Sequence, residues 1–126
     1  MEKTEVKSFD TKPVMHSNHS ANFELSGELG RRIRAVVEQW IYPAPSANLA
    51  ILEMFRNRDM TPHQALVPWA GEFAGKYLTH CVQVYRLNRE KKLAAHINWF
   101  VRELCALQDT DGYLGPWPRQ WRLIIS

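Results

Sequence analysis

The chain holds only two cysteines, Cys81 and Cys105, among its 126 residues. Two thiols are too few for a disulfide framework and suit a reducing compartment. A dominant charge is also missing. Sixteen Lys and Arg stand against 13 Asp and Glu, a formal net charge of +3, far from the basic face of a nucleic-acid module. The densest basic runs, Arg31-Arg32-x-Arg34 and Arg86-x2-Arg89-x-Lys91-Lys92, are interleaved with or lie near Glu28, Glu38, Glu90 and Glu103, so no nucleic-acid partner is expected. No stretch approaches the ~18 uncharged apolar residues of a membrane span, and Met1 to Asp10 carries both signs of charge with no apolar segment behind it. The expected location is the cytoplasm, with no membrane partner.

Several chemical signatures are absent as well. The glycines at 71, 75, 112 and 115 form neither GxGxxG nor GxxxxGK[ST], which removes the phosphate-cradling loops. Asp109-Thr110-Asp111-Gly112 begins like a calcium loop, but glycine falls fourth instead of sixth and Gln120 stands where a glutamate is needed. Histidines 16, 19, 63, 80 and 96 make no His-x3-His or Cys-x2-Cys pair, so no internal metal site is expected. If the chain turns back near Arg89, Cys81 and Cys105 are offset by about 12 Å along the helix axes, beyond disulfide reach. Both are expected as buried, small apolar side chains.

What remains is ordinary globular composition, 45 % hydrophobic and 23 % charged, with five Trp and seven Pro. Residues 1–21 show no sustained apolar period and read as a flexible lead-in. From Ser26, the positions Leu29, Ile33, Val36 or Val37, and Trp40 recur at helical spacing until Pro43 and Pro45 end the helix. Ser46 is placed to cap a second helix carrying Leu49, Leu52 and Phe55 to about Asp59. After a Thr61–Pro68 connector, Ala74, Tyr77 or Leu78, Cys81, and Val84 or Tyr85 mark the inner face of a third helix. Glu72, Lys76, Thr79 and Gln83 fall on its outer face. The pattern resets near Asn88, and Leu93, Ile97, Phe100, Leu104 and Leu107 mark a fourth helix, so an antiparallel αα-hairpin is expected. Gln108 to Pro118 contains two glycines, two prolines and two aspartates, which predicts an ordered or ligand-lining loop. No run alternates long enough for a strand, so the fold class is all-α.

The segment Pro68-Trp69-Ala70-Gly71-Glu72-Phe73-Ala74-Gly75-Lys76-Tyr77-Leu78 sets a tryptophan, a carboxylate and an ammonium at a helix start. An i,i+4 surface pair worth ~0.3 kcal/mol accounts for Glu72 and Lys76. It leaves Trp69 and two helix-weakening glycines unexplained. Aromatic rings beside carboxylates are what sugar recognition uses, since the rings stack on C–H faces and the carboxylates bind hydroxyls.

These residues carry a family resemblance. Trp69-x-Gly71-Glu72-Phe73-x-Gly75-Lys76-Tyr77-Leu78, then Tyr85-Arg86-Leu87, then Val101-Arg102-Glu103-Leu104-x3-Gln108-x2-Asp111-Gly112-Tyr113-Leu114-Gly115, resembles the N-terminal part of glycoside hydrolase family 127, the beta-L-arabinofuranosidase-like proteins. Gly27 to Arg32 and Leu52 to Asp59 look like its first hairpin. The resemblance implies αα-hairpins forming the first part of an (α/α)6 barrel, with residues 22–118 as its first two hairpins and 119–126 as a truncated tail. It implies a carbohydrate substrate, with Trp69, Glu72, Asp111 and Tyr113 as substrate-binding residues. The family's best-studied branch uses a cysteine nucleophile near zinc and a glutamate acid/base. The resemblance places these in later hairpins, so no catalytic residue, metal ligand or cofactor is assigned to this chain and zinc is left to a longer parent. A chain of two hairpins is expected to be inactive alone and to self-associate through uncovered inner surfaces. Two other readings stay open: a small helical interaction module anchored by Trp69, Tyr113 and Trp117, and a toroid of the terpene-cyclase type.

Overall fold

A computed structural model describes residues 23–64 and 69–122. The lead-in, the end of the 61–68 connector and the last residues of the tail lie outside them. The described chain is helical and contains no strand.

Helix α1, Gly27–Val36, runs directly into a π-helical turn, Val37–Ile41, closed by the Tyr42 N–H on the Val37 carbonyl at 3.0 Å. This turn changes which apolar residues face inward. Val37 and Ile41 are buried, whereas Leu29, Val36 and Trp40 are exposed, which corrects the expectation that Leu29 and Trp40 point to the core. The wider turn keeps residues four apart aligned, so Ile33, Val37 and Ile41 form the inner row.

The second predicted helix is also corrected. Instead of one helix to Asp59 there are two single turns, α2 Ala44–Ala47 and α3 Glu53–Arg56, with Asn48 extended between them. The Asn48 side chain accepts the Ala50 N–H at 3.0 Å, and this local bond competes with helix continuation. Ile51 and Leu52 are both buried, a side-by-side burial that one helix face would not give. The first predicted hairpin therefore has one long helical arm and one broken return.

The second hairpin matches its expected pattern. Helices α4, Glu72–Asn88, and α5, Lys91–Ala106, are joined by two residues, with Arg89 in the left-handed region. Ala74, Tyr77, Cys81 and Val84 on α4 pack with Leu93 and Phe100 on α5. The Tyr77 and Phe100 rings lie 4.7 Å apart, and Tyr77 Oη meets His96 Nε2 at 2.6 Å. Tyr77 and Phe100 lie at similar distances along the chain from the connection, as an antiparallel hairpin requires. Cys81 and Cys105 are both free, but only Cys81 is buried. Cys105 is exposed on α5, which corrects its placement in the core. No helix among the described residues is long and apolar enough to cross a membrane.

Candidate glycan-binding cleft

After α5 the chain turns through residues 107–118 into a short 3-10 turn, Arg119–Trp121. Its shape comes from side chains bonding to nearby backbone. The Tyr113 N–H donates to Asp111 Oδ1 at 3.0 Å, the Thr110 N–H to Asp109 Oδ1 at 2.7 Å, and Gln108 Nε2 to the Gly112 carbonyl at 2.8 Å. A β-carbon at Gly115 would lie 2.4 Å from Tyr113 Oη, so only glycine lets the ring fold over the backbone there.

Arg122 holds the loop together. Its guanidinium reaches Asp109 at 2.6 Å and Asp111 at 2.9 Å, donates to the Trp117 carbonyl at 3.2 Å, and stacks 3.9 Å from the Tyr113 ring centre. Arg119 adds a second contact to Asp111 at 2.9 Å. From the other side, the buried Arg58 donates to the Leu107 and Gly115 carbonyls at 3.2 and 3.4 Å. The charge-assisted bond from Arg122 holds the Asp109 carboxyl down to about 2. Asp111 is also lowered, first by its bond from the Tyr113 backbone. Both carboxylates therefore stay ionised at neutral pH and act as acceptors, not as proton donors.

An open cleft of about 1030 Å³ is lined by Asp111, Tyr113, Trp117, Arg119, Trp121 and Arg122. Trp117 and Trp121 are exposed and offer ring faces, whereas one face of Tyr113 is taken by Arg122. At its edge the His63 ring meets Trp121 edge-on at 4.4 Å. Neither ring nitrogen of His63 has a hydrogen-bond partner among the described residues.

The four expected substrate residues divide between two places. Asp111 and Tyr113 line this cleft. Trp69 and Glu72 border a separate depression of about 390 Å³ with Phe73 and Lys76 at the start of α4. The two regions meet where Pro116 packs over Gly71: a β-carbon at Gly71 would lie 3.0 Å from the proline ring, and Gly71 has φ +92°. Trp69, also at positive φ, is 70 % exposed. Glu72 pairs with Lys76 at 2.6 Å on an exposed face, as the surface-pair reading expects. Gly75 faces open space, so no close backbone contact explains it. The interaction-module reading needs Trp69 and Trp117 as buried anchors, and both are exposed.

Arg122 and Trp121 were not anticipated as parts of the cleft, nor Arg58 as a support of its loop, because they reach the loop from distant or flanking positions. A hydrogen-bonded group formed by Ile41, Tyr77 and His96 was missed as well. Tyr77 Oη donates its single proton to the Ile41 carbonyl at 2.8 Å. The contact with His96 therefore requires the imidazole Nε2–H as donor, and the tautomer follows from this network. Burial raises the Tyr77 phenol and lowers His96, with Lys92 adding to the latter.

Among the described residues no three His, Cys, Asp or Glu side chains converge as a metal-binding group. Burial also raises the Cys81 thiol, which keeps it protonated and a poor ligand. The zinc that the resemblance implies belongs to later hairpins of a longer parent, and none of these side chains is assigned to it.

The model of one protein family, described as beta-L-arabinofuranosidase, GH127 catalytic domain, matches residues 14–122. No curated protein and no solved structure gave a match.

Proposed function

Because the chain belongs to the beta-L-arabinofuranosidase GH127 catalytic-domain family, whose fold is an (α/α)6 barrel, we propose that it forms one wall of a cleft for arabinofuranosides or related glycans. We further propose that it does not hydrolyse them by itself. The observation that carries this reading is the family match over residues 14–122, which spans both hairpin regions and the Asp109–Trp121 loop.

The chemistry of the loop supports it. Trp117 and Trp121 supply ring faces, and Asp111 and Arg119 supply charged hydrogen-bonding groups at the cleft surface. Trp69 and Glu72 extend the wall on the far side of the Gly71–Pro116 contact. Inactivity is supported by the state of the carboxylates. Glycoside hydrolysis needs two groups flanking the scissile bond, one of them able to give a proton. Asp109 and Asp111 are tied to Arg122, and Glu72 to Lys76.

The test is titration with methyl β-L-arabinofuranoside, read by the thermal shift of the full chain. Trp117→Ala and Trp121→Ala are each expected to weaken binding about fivefold, equivalent to ~1 kcal/mol of lost ring contact. Equal affinity in both variants would remove the cleft from the proposal.

A further inference from the structure

Next to the loop cleft lies a smaller, polar nook of about 290 Å³, whose walls include Arg58, Asp59, Thr61, His63, Gln120 and Trp121. It sits between two segments far apart in sequence. The Asn57 side-chain amide donates to Gln64 Oε1 at 3.2 Å, which closes the 57–64 loop. Opposite, the Trp121 N–H donates to the Pro118 carbonyl at 2.9 Å and closes the 118–121 turn. Trp121 lines both the nook and the loop cleft, so the two cavities share one ring as a wall.

Three observations bear on what the nook holds. First, both ring nitrogens of His63 are shut away from solvent and have no hydrogen-bond partner among the described residues, although each nitrogen of an imidazole is a donor or an acceptor. Burying such groups unpaired costs free energy, which a hydroxyl, able to donate or accept, relieves at either nitrogen. Second, the charges on the walls are matched. Asp59 pairs with Arg58 at 3.0 Å, and Arg58 uses a further N–H group on the Leu107 and Gly115 carbonyls. Among the described residues no other Asp, Glu, Lys or Arg lines the nook, so it suits a neutral, hydroxyl-bearing ligand better than an ion. Third, its volume is at the low end of small-molecule pockets, ~300–1,000 Å³, which is room for one sugar ring and not for a chain. The ring standing against the imidazole, edge-on at 4.4 Å, is Trp121, which is 52 % exposed on a three-residue turn.

We propose that this nook is a second sugar subsite, opened when the Trp121 ring turns toward the loop cleft and leaves a His63 nitrogen to a hydroxyl of the neighbouring sugar unit. Trp121 then stacks on the unit in the cleft, while His63 and Gln120 hydrogen-bond the next one. The subsite rests on the carbohydrate reading above and adds to it a glycan of at least two units.

The test titrates the full chain with methyl β-L-arabinofuranoside and, separately, with a β-L-arabinofuranosyl disaccharide. The imidazole and indole NMR signals are followed, those of His63 and Trp117 being assigned with His63→Phe and Trp117→Phe. The disaccharide is expected to shift both, and the monosaccharide Trp117 alone. His63→Phe keeps a ring against Trp121 but has no nitrogen, and it should weaken the disaccharide about fivefold, what one hydrogen bond contributes, with the monosaccharide affinity unchanged. The imidazole shifts of the unaltered chain stand even if that variant folds poorly. A disaccharide that shifts Trp117 but not His63, or that binds His63→Phe as tightly as the unaltered chain, would overturn the subsite and leave the cleft standing. Equal weakening of both sugars in His63→Phe would make His63 a support of Trp121 only, and would also overturn it. If neither sugar shifts any of these signals, both readings fall.

Discussion

Asp109 and Arg122 show how single side chains set the cleft. The Asp109 carboxyl is depressed to about 2 from an ordinary value of 3.8 by the Arg122 bond. Its contribution to stability is therefore complete above about pH 4 and is lost as pH falls through the folded value near 2. Loop order, followed by the fluorescence of Trp117 in a chain with the other tryptophans replaced by phenylalanine, should decline across this window. Arg122→Gln should loosen the loop at neutral pH and remove the acid step, and an unaltered acid step in that variant would contradict the assignment. Tyr77 makes a second prediction. Tyr77→Phe leaves the Ile41 carbonyl and the His96 Nε2–H without their buried partner, at a cost of about 1–3 kcal/mol. Urea denaturation measures this, and a change under ~0.5 kcal/mol would mean that water replaces the phenol.

At the scale of elements, two glycines in one short segment behave oppositely. Gly71 sits at φ +92° with Pro116 against it, whereas Gly75 faces open space within α4. Gly71→Ala should destabilise the chain by more than about 1 kcal/mol, while Gly75→Ala should stabilise it by roughly 0.5–1 kcal/mol. Thermal denaturation of both variants checks the pair, and the same sign in each would refute the contrast. The long helices were legible because their inner residues keep one period, Tyr77, Cys81 and Val84 on α4, Leu93 and Phe100 on α5. The π turn was not legible. It is accompanied by a bond from Tyr77, 36 residues away, to the Ile41 carbonyl, and no local pattern carries that. The broken return after Pro45 was hidden for a related reason: Leu49, Leu52 and Phe55 keep helical spacing, yet Asn48 takes the extended backbone and Leu49 is exposed.

For the molecule as a whole, the sequence singled out Trp69, Glu72, Asp111 and Tyr113 without showing how they are arranged. Their spacing did not reveal that Pro116 on Gly71 divides them, or that Arg58 and Arg122 grip the loop from both sides. The family match and the loop chemistry together motivate the central proposal, that the chain binds arabinofuranosyl glycans without cleaving them. One proton NMR time course on the full chain with a β-L-arabinofuranosyl disaccharide reads both properties in a single sample. The account predicts saturation transfer from protein to sugar and constant anomeric signals over the incubation. Free arabinose released faster than in buffer, or no saturation transfer at all, would contradict it.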